Sequence, residues 1–188
     1  LVRSRGLGDV YKRQDGEYIS KGEIVGVVYG NCKSVLKGER VSLNILQRLS
    51  GIATLTNLYV KQLEGTKTKL LDTRKTTPGF RAFEKYAVKV GGGENHRFGL
   101  YDMVMIKDNH IALVGSIKEV VKQVKSKVSP MVKIEVEVGD FQQLYEALET
   151  EVDIIMLDNM SVEQVKEAVE IVGGSKLVEV SGLSLIHI

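Results

Sequence analysis

The sequence has a single cysteine, Cys32, among 188 residues, so no disulfide closes within the chain, and the thiol reads as a small core residue. No apolar run approaches the ~20 residues that span a bilayer. No charged stretch followed by an apolar one reads as a secretory leader, so the expected setting is the cytoplasm with no membrane partner. Nor is there the basic surplus or reading element of a nucleic-acid binder, since 26 basic side chains face 24 acidic ones. The glycines Gly91 to Gly93 match neither a dinucleotide fingerprint nor a Walker A loop and read as a helix-terminating turn. His96 and His110 lack the spacing of a zinc site.

What is present is an ordinary composition, 43% hydrophobic and 27% charged, enough for one sizeable core and a smaller second unit. The small net charge conceals an uneven distribution. Residues 1–65 carry 10 basic and 6 acidic side chains, residues 66–110 carry 9 and 5, and residues 111–188 carry 7 and 13. A focused site for a small anion fits this better than a broad basic face. Residues 1–14 are basic and aperiodic, and with LSLIHI at 183–188 they read as translated adaptor DNA, so both ends are set aside.

Between Asp15 and Leu36, glycines separate short β-rich runs, notably Ile24–Tyr29, which predict small strands joined by turns. From Glu39 to Leu63 apolar residues recur at helical spacing, predicting one helix, or two joined near Ser50–Gly51, with its polar residues solvated and Arg40 in its first turn. Residues 15–66 are therefore taken as part of an N-terminal α/β domain with a linking helix. From 67 to 182 strands and helices alternate. Strands are predicted at Lys69–Asp72, Met103–Ile106, Val132–Val138, Val152–Leu157 and Lys176–Val180. Helices are predicted at Arg81–Val90, Ser116–Val128, Phe141–Glu149 and Val162–Val172. Such alternation specifies a parallel sheet.

Polar groups follow or close every predicted strand: Arg74–Lys75, Lys107–Asp108–Asn109, Glu137, Asp158–Asn159 and Ser181–Gly182. Active sites collect at the carboxyl ends of parallel strands, and this convergence favours an incomplete α/β barrel with one site. Taken singly, Asp108–Asn109 reads as a turn before Ile111, and Asp158–Asn159 as a cap for a helix starting near Ser161. Glu137 is harder to dismiss, because alternation puts Glu135 and Glu137 on one face of an otherwise apolar strand.

The motifs Glu39–Asn44, Leu49–Thr54, Asp72–Gly79, Gly91–Arg97, Ile106–His110 and Leu157–Asn159, in this order, resemble those of quinolinate phosphoribosyltransferases. The resemblance covers about Asp15 to Gly182. It implies phosphoribosyl transfer from phosphoribosyl pyrophosphate to quinolinate with decarboxylation, and a homodimer with shared sites, Arg40 reaching into the partner's. It further implies that Arg74, Lys75, His96 and Arg97 form the cationic pocket for the quinolinate carboxylates, that Thr73 also binds substrate and that Lys107 meets phosphate. Glu137 and Asp158 would face the ribose and the magnesium carried by the donor, with Ser181 and Gly182 also binding substrate. The family continues beyond Ser181–Gly182, and part of its N-terminal domain has no counterpart here, so the chain reads as a fragment. The alternatives are a related phosphoribosyltransferase for another acid, or an inactive barrel that dimerises or senses a ligand.

Overall fold

In the computed structural model, residues 7–11 and 13–182 are described. They fall into two compact units, one ending at Phe98 and the other beginning at Gly99. Of the ends set aside as non-native, residues 1–6, 12 and 183–188 lie outside the described residues. Leu7–Tyr11 forms β1, which pairs antiparallel with β2, Gly26–Gly30, in the register Leu7↔Gly30 to Tyr11↔Gly26.

The several strands expected between Asp15 and Leu36 reduce to β2. Gly16 and Gly22 have φ of 88° and 89°, values that make turns rather than pleated strand. Asn31 then caps α1, Cys32–Gln62, by accepting the Lys33 amide at 3.0 Å. With no proline among its 31 residues, α1 runs unbroken through Ser50–Gly51. Its start, earlier than the periodicity suggests, corrects two expectations. Cys32 is the exposed first residue of a helix rather than a core residue, and Arg40 lies in the third turn rather than the first.

The second helix, α2, spans Arg81–Val90 and ends at Gly91. Gly91 has an ordinary φ of −72°. What it supplies is space: a Cβ there would stand 2.4 Å from the Ala53 carbonyl oxygen and 2.7 Å from Thr56 Cβ. Asn57 of α1 donates to the Gly91 carbonyl at 3.2 Å, fixing this approach. The strand expected over Lys69–Asp72 shrinks to one parallel bridge, Leu71 to Glu94. Glu94 bonds Leu70 and Asp72 through its amide and carbonyl at 2.8 and 3.1 Å. The His96 amide then turns to the Asp72 carboxylate at 2.9 Å, which ends the ladder.

The second unit alternates as predicted. It comprises β3 (Val104–Ile106), α3 (Asp108–Val114), α4 (Ile117–Lys125), β4 (Ile134–Val138), α5 (Phe141–Leu148), β5 (Ile154–Asp158), α6 (Val162–Val172) and β6 (Leu177–Ser181). The strands make one parallel sheet in the order β3-β4-β5-β6. Ser116, Asp140 and Ser161 cap α4, α5 and α6 by accepting amides three residues on. The element not anticipated is α3. Asp108–Asn109, expected as a turn, open a helix because His110 Nδ1 accepts the Lys107 amide at 3.0 Å, satisfying a donor at the helix start.

Val104, Ile106, Ile134, Val136, Val138, Ile155 and Leu157 project to one side of this sheet. Ile117, Val120, Leu144, Ala147, Ala168 and Val172 from the helices cover them. Burying each such Val, Leu or Ile contributes about 1.5–3 kcal/mol, which fixes the register and leaves the opposite side for other chemistry. Among the described residues, no helix is long and apolar enough to cross a membrane.

Two glycines on this frame should respond oppositely to alanine. Gly91→Ala is expected to destabilise by about 1–3 kcal/mol through overpacking against Ala53. Gly38→Ala in α1, where an added Cβ meets nothing within 4 Å, should be neutral or stabilising by up to ~1 kcal/mol. Urea unfolding midpoints of the two variants check this, and equal midpoints would remove the close-approach account of Gly91.

Candidate active site

In the first unit the polar residues converge on two segments, Asp72–Gly79 ahead of α2 and Asn95–Phe98 after it. The side chains of Asp72 and Lys85 form an ion pair and are 6% and 3% exposed. Lys85 Nζ also donates to the His96 carbonyl at 3.0 Å, while Asp72 accepts the His96 amide. With its nitrogen turned toward Asp72, the Asn95 amide donates to Asp72 Oδ2 at 2.9 Å and to the Lys85 carbonyl at 3.0 Å.

The segment carrying Thr73, Arg74 and Lys75 is held at nearly every residue. Thr73 Oγ1 accepts the Lys75 amide at 3.0 Å. Arg81 reaches from α2 to Thr76 Oγ1 at 3.1 Å, the Arg74 carbonyl at 3.4 Å and the Phe98 carbonyl at 3.0 Å. Arg48 reaches from α1 to Thr77 Oγ1 and to Glu84 Oε1, both at 2.5 Å, and Glu84 Oε2 accepts the Thr77 amide at 3.0 Å. Burial pushes the Glu84 carboxyl up. Hydrogen bonds from Arg48 and Thr77, with the Arg48 charge, outweigh burial and hold the group below its ordinary 4.5.

Within this framework Arg74 is half-buried. Its Nε is withdrawn from solvent and has no hydrogen-bond partner, a state that costs about 1–3 kcal/mol unless an acceptor arrives. Thr73 and Lys75 are exposed, and His96 and Arg97 are partly buried. Arg40 is exposed and outside this network. It lies eight residues before Arg48 on α1, about 12 Å along the helix axis.

In the second unit the parallel register assembles a different row. Glu137 pairs with Met156, and Asp158 with Ser181, so Glu137, Asp158 and Ser181 share the sheet face opposite the apolar one. Lys107, just past β3, joins that row by an ion pair to Glu137 at 2.5 Å. Glu135, on the same face one step earlier, is fully buried. Asp158 accepts from Asn159 Nδ2 at 2.8 Å, and Asn159, at φ 56°, donates its amide to the Ser181 carbonyl at 3.0 Å. Gly182 must lack a side chain, because a Cβ would lie 2.2 Å from Asn159 Oδ1 and its φ is 95°. Ser161, not Asp158 or Asn159, caps α6. That leaves Asp158 at the strand end.

The structure therefore groups Thr73, Arg74, Lys75, His96 and Arg97 in one unit and Lys107, Glu137, Asp158, Ser181 and Gly182 in the other, with Arg40 apart in the first. Sequence reasoning missed Arg48, Arg81, Glu84 and Lys85. Arg48 was counted among solvated helix residues. The available signal was the spacing of Arg81, Glu84 and Lys85, which forms one stripe on α2. That stripe faces inward: Glu84 and Lys85 are buried, while Phe83 and Tyr86 are 51% and 53% exposed.

The family profile described as quinolinate phosphoribosyl transferase, C-terminal domain, matches residues 52–185, and the corresponding N-terminal domain profile matches residues 6–50. The chain is 47% identical over 173 residues to a probable nicotinate-nucleotide pyrophosphorylase [carboxylating] of Bacillus subtilis, a match covering 92% of this chain and 60% of that protein. It is 44% identical over 161 residues to the Mycobacterium leprae nicotinate-nucleotide pyrophosphorylase [carboxylating], covering 86% and 56%. Among solved structures, NadC from Streptococcus pyogenes superposes with a TM-score of 0.89 at 46% identity, covering 94% of this chain and 62% of that one. The chain thus spans roughly three-fifths of the length of these relatives.

The Arg48–Glu84 pair gives a pH-dependent expectation. Because the folded-state pKa of Glu84 is depressed below its ordinary 4.5, the pair's stabilisation is present above that unfolded value and is lost as pH falls through the folded one. Arg48→Met should cost about 1–3 kcal/mol at pH 7, with the gap to the parent narrowing below about pH 4. Thermal unfolding across pH 3–7 measures the gap, and a constant difference would sink this account.

Proposed function

The chain belongs to the quinolinate phosphoribosyl transferase family, and from that premise we propose that it serves a cytoplasmic enzyme of NAD biosynthesis. The enzyme transfers the phosphoribosyl group of phosphoribosyl pyrophosphate to quinolinate, giving nicotinate mononucleotide, pyrophosphate and carbon dioxide. In this reading residues 15–66 are part of an N-terminal domain and 67–182 part of an α/β barrel. The observation that carries the proposal is the row Lys107, Glu137, Asp158 and Ser181, set on one face at the carboxyl ends of four adjacent parallel strands.

The bond between ribose C1 and the pyrophosphate oxygen breaks while C1 bonds to the pyridine nitrogen. Carboxylates at Glu137 and Asp158 favour the positive charge that develops on the sugar, and Lys107 favours the negative charge on the leaving group. Both carboxylates are hard oxygen donors of the kind magnesium accepts beside substrate phosphates. Each is already engaged, Glu137 by Lys107 and Asp158 by Asn159, which suits an ion that arrives with the donor rather than a closed protein cage. Bound there, magnesium neutralises charge on the pyrophosphate.

Arg74 and Lys75, with His96 and Arg97, take the two quinolinate carboxylates, and the unpartnered Nε of Arg74 supports this assignment. Once the ring nitrogen is ribosylated, its positive charge stabilises the electron pair left on the ring carbon as carbon dioxide departs. That carbon then takes up a proton. The residues need only hold the geometry for this step.

Arg40 fits a contribution to a second copy's site. It is exposed, outside the network of the first unit, and flanked on α1 by Leu36, Val41 and Leu46, which are 65%, 62% and 50% exposed. Such a run of uncovered apolar side chains supports a homodimer.

In a chain carried to the full length of its relatives, phosphoribosyl pyrophosphate and magnesium should support turnover of quinolinate with release of carbon dioxide, and none with nicotinate. Turnover of nicotinate instead would transfer the reading to a related enzyme. Arg74→Lys, which keeps the charge but loses the planar fork, should raise the quinolinate KM about ten- to a hundredfold, and an unchanged KM would mean the pocket is misassigned. Mixing Arg40→Ala with Glu137→Ala protein should restore roughly a quarter of the parent activity through hybrid dimers with one intact site. No recovery after confirmed subunit exchange would count against shared sites.

A further inference from the structure

Lys85 and Asp72 belong to none of the binding roles above, yet together they join the two segments that carry them. Asp72 immediately precedes Thr73, Arg74 and Lys75, and it accepts the amide of His96 at 2.9 Å. Lys85 Nζ meets Asp72 and also donates to the His96 carbonyl at 3.0 Å. The peptide groups on both sides of His96 are thus gripped by opposite members of one ion pair. Asn95 adds a third tie, from its amide to Asp72 Oδ2 at 2.9 Å. Ordinary pleated pairing between the two segments ends at Leu71 and Glu94, so beyond that point their spacing is set by these side chains.

We propose that the buried Asp72–Lys85 pair is the positioning device of the acid-binding part of the site. It fixes the separation between Arg74–Lys75 and His96–Arg97, and so selects the spacing of the two carboxylates of the acid. Neither residue touches substrate. A lysine Nζ with three donors is suited to this, because it serves a carboxylate and a carbonyl at once and, being almost wholly buried, is held in one rotamer by them. The pair's hydrogen bonds go to the segments that carry the acid-binding residues, whereas Lys107, Glu137 and Asp158 belong to the other unit, so its influence falls on the acid and not on the phosphoribosyl donor. This inference rests on the function proposed above.

The test uses the full-length enzyme with Lys85→Met, and the double variant Asp72→Asn/Lys85→Met, which removes both charges and leaves neither buried alone. Lys85→Met is expected to lower the unfolding temperature and to raise the quinolinate KM at least tenfold, with the KM for phosphoribosyl pyrophosphate within twofold of the parent. The double variant should regain much of the lost thermal stability while its quinolinate KM stays high. A merely structural pair predicts otherwise: lost folded enzyme lowers kcat and leaves both KM values unchanged, or the double variant recovers KM together with stability. Either result overturns the proposal, as does an equal rise in both KM values. If Lys85→Met does not fold, the double variant alone decides. Absence of quinolinate turnover in the unmutated enzyme would instead remove the functional reading on which the proposal rests.

Discussion

A charge taken out of water needs a partner, because an unpaired one costs several kcal/mol. The first unit is organised around that constraint. Asp72 and Lys85 satisfy each other, and their leftover hydrogen-bonding capacity falls on the backbone of His96 and the side chain of Asn95. Glu84, the neighbour of Lys85 on α2, repeats the arrangement with Arg48 of α1, and the two hold the amide and the hydroxyl of Thr77. Local polar geometry therefore does here what a longer β-ladder does elsewhere.

The second unit answers a different constraint. A strand has two faces, and when helices bury one of them the other is fixed as well. Isoleucine, valine and leucine on one face of β3 to β6 leave Glu135, Glu137, Asp158 and Ser181 no choice of side. Glu137 then meets Lys107 across neighbouring strands. The core and the chemistry are two consequences of one alternation, so a one-residue slip in register would undo both.

These two constraints differ in how far they can be read from a sequence. Alternation is visible in Ile134–Val138, and Ile154–Asp158 is an apolar run closed by an acid, so the strands and their polar ends at Glu137 and Asp158 were legible, as were α2 and α6 from their periodicity. The inward charges of α2 were only half legible, since the spacing of Arg81, Glu84 and Lys85 marks a stripe but is the same whether that stripe faces water or the interior. The single bridge at Leu71 was hidden because what ends the ladder is a side chain, Asp72, taking an amide that a strand would have used. The short helix α3 was hidden because its start depends on His110 accepting the amide of Lys107, an uncommon cap.

The contrast between Arg74 and the arginines around it follows from the same constraints. Arg48 and Arg81 direct donors to Glu84, Thr77, Thr76 and main-chain carbonyls. Arg74 keeps a buried Nε without an acceptor. A mobile loop would relax until that donor found water or a carbonyl, recovering the ~1–3 kcal/mol that the unmade bond costs. This loop is held at the Arg74 carbonyl, the Lys75 amide, the Thr76 hydroxyl and the hydroxyl and amide of Thr77, so relaxation would break several bonds to make one. The cost therefore stays in the folded protein, and in the proposed reading it would be recovered when a substrate carboxylate supplies the acceptor. On that reading, folding free energy would be converted into preorganisation for binding.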